Sequence, residues 1–194
     1  MERFSYALGM TIGENFLEAG LDSVETAFLM MGINDVINQR EKLLNPEDAA
    51  SVIQEFIGKA EQRKAEVNKE VEQKFLEQNK KKEGVKTTES GLQYEIIKQG
   101  TGPVPTIVDE VTVHYHGTLM DGTVFDSSVE RSEPMTFPVT SVIPGMQEAV
   151  LMMPVGSKWK LYVPSDLAYG ETGAGGVIDP YSPLIFEVEL IEIE

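Results

Sequence analysis

Up to Glu83 the apolar residues of this chain recur at helical spacing, and beyond a stretch at residues 84–91 they alternate with polar ones. A change from a period near 3.6 to a period of two implies segregated halves, an α+β fold. The expected organisation is an all-helical region over residues 1–83 that ends in a long helix at about 46–83, then an antiparallel twisted β-sheet wrapped over a short helix in residues 84–194. A length of 194 residues is enough for two such domains.

In the helical half, Ser5 is placed to cap a first helix that carries Leu8, Ile12 and Phe16 at four-residue spacing and stops at Gly20. Gly9 and Gly13 share a face of it, where a close backbone approach is expected to repay their poor helix propensity. Asp22 with Glu25 has the form of a capping box for a second helix, expected from Ser23 to about Arg40. That helix is apolar on two sides, with Val24, Ala27, Phe28 and Met31 on one and Leu29, Ile33, Val36 and Ile37 on the other. One neighbour cannot cover both. A second copy of the chain is the expected source of the missing surface, and cover by the C-terminal domain is the alternative.

Asn45-Pro46-Glu47-Asp48 starts the long helix with a capping side chain, a proline at the first position and acids near the positive end of the dipole. No proline follows until Pro103, and Lys80-Lys81-Lys82 before Gly84 makes a cationic last turn and a stop. Such a helix would extend about 55 Å at 1.5 Å per residue. Its apolar stripe thins after Ala60 to Val67, Val71 and Phe75, too little to anchor it in a core, so residues 46–83 read as a solvated stalk.

The β-rich half is organised around residues 111–128, V-T-V-H-Y-H-G-T-L-M-D-G-T-V-F-D-S-S. Val111, Val113 and Tyr115 alternate with Thr112, His114 and His116, Asp121-Gly122 supplies a tight turn, and the returning strand carries Phe125 and Asp126. Tyr115, Phe125 and Asp126 thereby become candidates to converge on one apolar, hydrogen-bonding pocket. Residues 146–153 form a short apolar helix, Trp159, Leu161 and Val163 share a strand face, and Leu184, Phe186, Val188 and Leu190 alternate inward on the closing strand. On spacing alone, Tyr115, Phe125 and Phe186 are ordinary inward-facing core residues, and Asp126 could merely cap the serine turn that follows it. His114 and His116 share a strand face with no third ligand in sight, which is a sheet-face pair and not a metal site.

Composition removes whole classes of function. The absence of cysteine excludes disulfides, thiolate metal sites and cysteine nucleophiles. Of the net charge of −16, residues 84–194 carry −11, with 5 basic and 16 acidic groups, so phosphate backbones and anionic lipid are poor partners. No apolar run approaches the roughly 20 residues of a membrane span. The first residues enter a helix pattern directly, which reads as cytoplasmic; a chain trimmed of a signal segment would look the same, leaving a periplasmic or outer-membrane-associated setting as the alternative.

V-H-Y-H-G, D-G-T-V-F-D-S-S, V-I-P-G-M, L-A-Y-G and L-I-F-E-V-E-L, in that order from about Gly91 onward, resemble the FKBP-type peptidyl-prolyl cis-trans isomerases. The helical half looks like the dimerisation segment of the bacterial subgroup that includes the macrophage infectivity potentiator. The resemblance implies acceleration of X-Pro bond rotation in folding proteins with chaperone-like client binding, no cofactor, proline-containing polypeptides as partners and macrolides as inhibitors. It implies that Phe125 and Phe186 hold the prolyl ring, that the Ile143 N–H and the Tyr169 hydroxyl meet substrate carbonyls, and that Asp126 with Tyr115 polarises the wall. Met135, Val142, Met146, Val177 and Ile178 complete the substrate contacts. Met146 stands where the family usually has tryptophan, Met135 where an aromatic is common, and Ile178-Asp179-Pro180 departs from a usual Ile-Pro-Pro. A flexible methionine floor holds proline less rigidly, and a non-catalytic peptide-binding chaperone is the alternative function.

Overall fold

The computed structural model of the chain describes residues 1–21 and 23–194. It divides into two compact units, Met1–Glu66 and Val67–Glu194.

The first unit begins with α1 (Glu2–Glu18), which has Met1 and not Ser5 at its N-cap; the Ser5 N–H donates to the Met1 carbonyl at 3.0 Å, inside the helix. Because the helix already runs through residue 5, the Ser5 side chain has no free first-turn N–H to cap. Gly20 ends it as expected, with φ of 72° and the Leu21 N–H closing onto the Phe16 carbonyl at 2.8 Å. A Cβ placed on Gly9 or Gly13 meets nothing within 4 Å, so the single chain does not supply the close approach their spacing implies. Helix α2 (Thr26–Ile37) is shorter than the sequence pattern, because Gln39 turns left-handed at φ 53° and the Arg40 N–H closes onto the Asp35 carbonyl. The Asp22 cap lies outside the described residues. No residue of α2 is buried, and Phe28, Val36 and Ile37 are exposed.

The capping signal at Asn45 is realised in both directions: the Asp48 N–H donates to Asn45 Oδ1 at 2.8 Å, and Asn45 Nδ2 donates to Asp48 Oδ2 at 2.7 Å. Helix α3 (Pro46–Asn79) follows for 34 residues. Its end is not the solvated stalk expected from the stripe. From Val67 onward it belongs to the second unit, where the Phe75 ring lies 6.0 Å from that of Tyr162, Asn79 Nδ2 donates to Gln93 Oε1 at 3.0 Å, and Gln93 Nε2 donates to the Leu76 carbonyl at 2.9 Å. Buried amide side chains that hydrogen-bond across to a strand anchor a helix as apolar ones do, even with Asn79 Oδ1 left unpartnered, and a count of apolar residues cannot register them.

The second unit holds a seven-stranded sheet with every pairing antiparallel. Its strands are β1 (Lys86–Thr87), β2 (Gln93–Lys98), β3 (Glu110–Thr118), β4 (Val124–Ser127), β5 (Met135–Pro138), β6 (Lys158–Val163) and β7 (Leu184–Ile193), in the order β1-β2-β6-β7-β3-β4 with β5 paired to β3. The period of two places Leu184, Phe186, Val188 and Leu190 of β7 inward beside Val111 and Val113 of β3 and Trp159, Leu161 and Val163 of β6. Helix α4 (Pro144–Val150) completes this core with Met146, Ala149 and Val150. It lies close because residue 145 is glycine: a Cβ there would fall 2.4 Å from Val163 Cγ1.

Candidate active site

Strand β3 is the spine of the site. In its ladders Gly117 lies opposite Phe186 of β7 on one side and Asp126 of β4 on the other. A Cβ on Gly117 would sit 2.7 Å from Phe125 Cζ and 2.9 Å from Phe186 Cε1, so only glycine leaves room for both rings. They meet edge to face, with centroids 5.5 Å apart and planes at 89°. The arrangement opens a cavity of about 490 Å³. Tyr115, Phe125, Asp126 and Phe186 line it from the sheet, Met135 and Phe137 from β5, Ser141, Val142 and Ile143 from the segment entering α4, Met146 from α4, and Ala168 and Tyr169 from the loop after β6. Met146 is buried and forms the floor, while Tyr169 is 41% exposed at the rim.

Two of the expected contacts are elsewhere. Val177 is 52% exposed and away from the cavity wall, and Ile178 is 7% exposed within the hydrophobic core. The cause is local: Ala174 and Ile178 exchange backbone hydrogen bonds at 2.8 and 2.9 Å, which closes the glycine-rich loop on itself and turns Ile178 inward.

The polar wall is tighter than the sequence implied. The Tyr115 hydroxyl donates to Asp126 Oδ2 at 2.5 Å and accepts from Arg131 Nη2 at 3.0 Å, while Arg131 Nη1 donates to Asp126 Oδ1 at 2.5 Å. The Met135 sulfur lies 3.3 Å from that hydroxyl. Arg131 was not anticipated, although it is the only arginine among residues 84–194 and follows Asp126 by one loop. Phe137, Ser141 and Ala168 were also missed; Phe137 was legible as the residue two places after Met135 and therefore on the same strand face. His114 and His116 turn away from this chemistry, with Nδ1 atoms 3.0 Å from Ser128 Oγ and 2.9 Å from Ser127 Oγ.

Burial pushes the Asp126 carboxyl up, but the Tyr115 and Arg131 hydrogen bonds outweigh it and hold the group below the usual carboxylate range. Burial, reinforced by the bond to Asp126, pushes the Tyr115 hydroxyl up. The site therefore combines an anion that stays charged, a phenol that stays protonated and an apolar floor.

Residues 102–191 match the family model described as FKBP-type peptidyl-prolyl cis-trans isomerase, and residues 1–96 match the domain amino terminal to it. The chain belongs to the FKBP-type peptidyl-prolyl cis-trans isomerases. It is 47% identical to the FKBP-type 22 kDa peptidyl-prolyl cis-trans isomerase of Escherichia coli, covering 97% of this chain and 93% of that one. It is 42% identical to the outer membrane protein MIP of Legionella longbeachae, over 100% of this chain and 85% of that protein. Its structure resembles the crystal structure of FkpA from Escherichia coli with a TM-score of 0.75 at 32% identity, covering 99% and 95% of the two chains. The enzyme activity of the family needs no proton abstracted and no bond broken, which matches a site whose titratable groups keep one state.

The direction of both shifts sets a pH window. Asp126, lowered in the folded protein, contributes its pairing fully above the ordinary carboxylate pKa and loses it as pH falls through the lowered value; Tyr115, raised, stays protonated above the ordinary phenol value. Isomerisation of a prolyl peptide is accordingly expected to be flat from about pH 5 to about pH 9. A bell-shaped profile inside that window would contradict the assignment of Asp126 and Tyr115.

Proposed function

We propose that this isomerase accelerates X-Pro rotation in folding polypeptides by seating the prolyl ring between Phe125 and Phe186 over Met146. What carries the reading is the meeting of the edge-to-face aromatic pair with the Tyr115, Asp126 and Arg131 cluster in one cavity. The barrier to rotation is amide resonance, about 18–20 kcal/mol for an ordinary peptide bond. A twisted X-Pro bond has lost that resonance, so its carbonyl is less polar and prefers an apolar wall to water, while the substrate ground state gains less. Asp126 and Tyr115 form the polarised side of the wall, and the Ile143 N–H and Tyr169 hydroxyl at the rim take the flanking substrate carbonyls. Val142 and Met135 bound the ring laterally. The family's macrolide inhibitors would enter the same cavity, against a floor that methionine makes adaptable.

Two such sites act together in a homodimer. Phe28, Leu29, Gly32, Ile33, Val36 and Ile37 line an apolar groove of about 500 Å³ on α2, and a second copy of the same helix is an occupant of matching chemistry. Proline-containing clients long enough to reach both sites would be held by two weak contacts, the basis of a chaperone-like contribution. Among the described residues no helix is long and apolar enough to cross a membrane. The expectation of a cytoplasmic chain has no support among the relatives; of the alternatives, an outer-membrane-associated setting fits the Legionella longbeachae protein's name.

In a protease-free assay Asp126→Ala is expected to lower kcat/KM by roughly tenfold, about 1.4 kcal/mol of transition-state stabilisation. Its stability should change by less than about 1 kcal/mol, because both members of the ion pair are nearly half exposed. Unchanged kcat/KM would remove Asp126 from the mechanism, and peptide binding without any acceleration by the native chain would favour the non-catalytic chaperone. For the dimer, Phe28→Asp is expected to halve the mass seen by light scattering while leaving peptide isomerisation per site intact. A native chain already monomeric at micromolar concentration would reject the dimer.

A further inference from the structure

Tyr169 sits on a long loop between β6 and β7, a poor platform for a hydroxyl that must meet a substrate carbonyl within a few tenths of an ångström. The loop is held at both ends by the final turns of α3. At its start, the carboxylate of Glu72 accepts the Ser165 N–H at 2.5 Å and the Ser165 hydroxyl at 2.8 Å. Ser165 is buried and opens a 3₁₀ turn, Ser165–Leu167, that has no side-chain cap of its own; Glu72 supplies the cap from far away in sequence. The carbonyl of the same serine accepts the N–H groups of Ala168 and Gly170, both at 2.9 Å. The two residues that flank Tyr169 are thus tied to one serine, and that serine to Glu72.

At the far end, Asn68 Nδ2 donates to the Pro180 carbonyl at 2.8 Å, and Lys69 Nζ lies 3.9 Å from the centre of the Tyr181 ring. Tyr181 has φ of 56°, a left-handed conformation that a bulky residue adopts only when its surroundings enforce it. Its N–H donates to the Gly170 carbonyl at 2.9 Å, which returns the restraint to the residue beside Tyr169. Asn68 and Lys69 precede Glu72 on α3 by four and three residues, the spacings that bring each to the same side as Glu72. All of them belong to the unit that starts at Val67.

We infer that Glu72, seconded by Asn68, is a positioning residue for Tyr169, so that the catalytic apparatus of this enzyme includes the end of α3. The inference rests on the role given to the Tyr169 hydroxyl above. Glu72 touches no substrate. It fixes Ser165, Ser165 fixes the backbone on both sides of Tyr169, and the hydroxyl inherits that order. A helix outside the sheet thereby sets the geometry of one rim of the cavity.

The test uses the full chain and a four-member cycle of native, Glu72→Ala, Tyr169→Phe and the double variant, with folding followed by circular dichroism and Trp159 fluorescence. Glu72→Ala is expected to lower kcat/KM by about tenfold, mainly through kcat, as a misplaced contact group does. In the Tyr169→Phe background the same change should cost less than about twofold, since no hydroxyl remains to be placed. Glu72→Gln keeps an acceptor for the Ser165 N–H and is expected to recover at least half of the loss. Asn68→Ala, a smaller perturbation at the other end, is expected to lower kcat/KM by about threefold and to lose that effect likewise in the Tyr169→Phe background. Should Glu72→Ala not fold, the Asn68→Ala cycle decides the inference by the same criterion. Native activity in Glu72→Ala and Asn68→Ala together with impaired Tyr169→Phe overturns the inference alone, as does a loss that persists undiminished in the Tyr169→Phe background. Native activity in Tyr169→Phe overturns the role of the hydroxyl, and the inference with it.

Discussion

The missing side chain at Gly117 is the constraint on which the cavity depends. Strand β3 is paired on both edges there, so neither the backbone nor its neighbours can move aside, and the two rings that frame the cavity take the space a Cβ would need. The aromatic frame of the cavity follows from that one missing side chain. Phe125 and Phe186 can meet edge to face, Asp126 follows Phe125 on the same strand and lines the same cavity, and α4 comes close enough, through its own glycine at 145, to bring Met146 beneath the rings. Two glycines at close approaches, rather than any unusual side chain, open a walled cavity on an antiparallel sheet.

The polar wall has a different economy. Asp126 and Arg131 are each nearly half exposed, where an ion pair contributes on the order of 0–1 kcal/mol to stability. Its effect lies in order: with both carboxylate oxygens and the Tyr115 hydroxyl engaged, the charge has a single arrangement toward the cavity. The same logic holds for Glu72 and Ser165, where a carboxylate from a helix stands in for the local cap that a short turn lacks. In the first place the charged groups fix a hydroxyl that lines the cavity, in the second the backbone that leads to Tyr169, and the hydrophobic core beneath holds the fold.

Much of this was legible in the residues. The alternation of Leu184, Phe186, Val188 and Leu190 appears as an inward row, the Asn45 cap and the Gly20 stop form as read, and most of the expected wall converges. These are local signals, in which a residue's role is set by neighbours within a few positions. The misreadings share the opposite character. Arg131 matters through Asp126 and through Tyr115, the latter sixteen residues earlier on β3, and the end of α3 is anchored by Gln93, Tyr162 and Ser165, which are distant in sequence. Ile178 turned into the core because its loop closed on Ala174, an interaction that the glycines permit without announcing. Ser5 is not a cap because the helix begins before it, at Glu2.

The central claim is that one cavity, floored by methionine, both seats proline and lowers its rotational barrier. Methyl-resolved NMR of the full chain with a short prolyl peptide tests seating and catalysis in the same sample. The account predicts that exchange between the cis and trans peptide signals accelerates as enzyme is added, and that the methyl signals of Met146 and Met135 shift in proportion to the peptide bound. Accelerated exchange with both methyl signals unmoved would place catalysis elsewhere, and shifted methyl signals with unaccelerated exchange would reduce the cavity to a binding site.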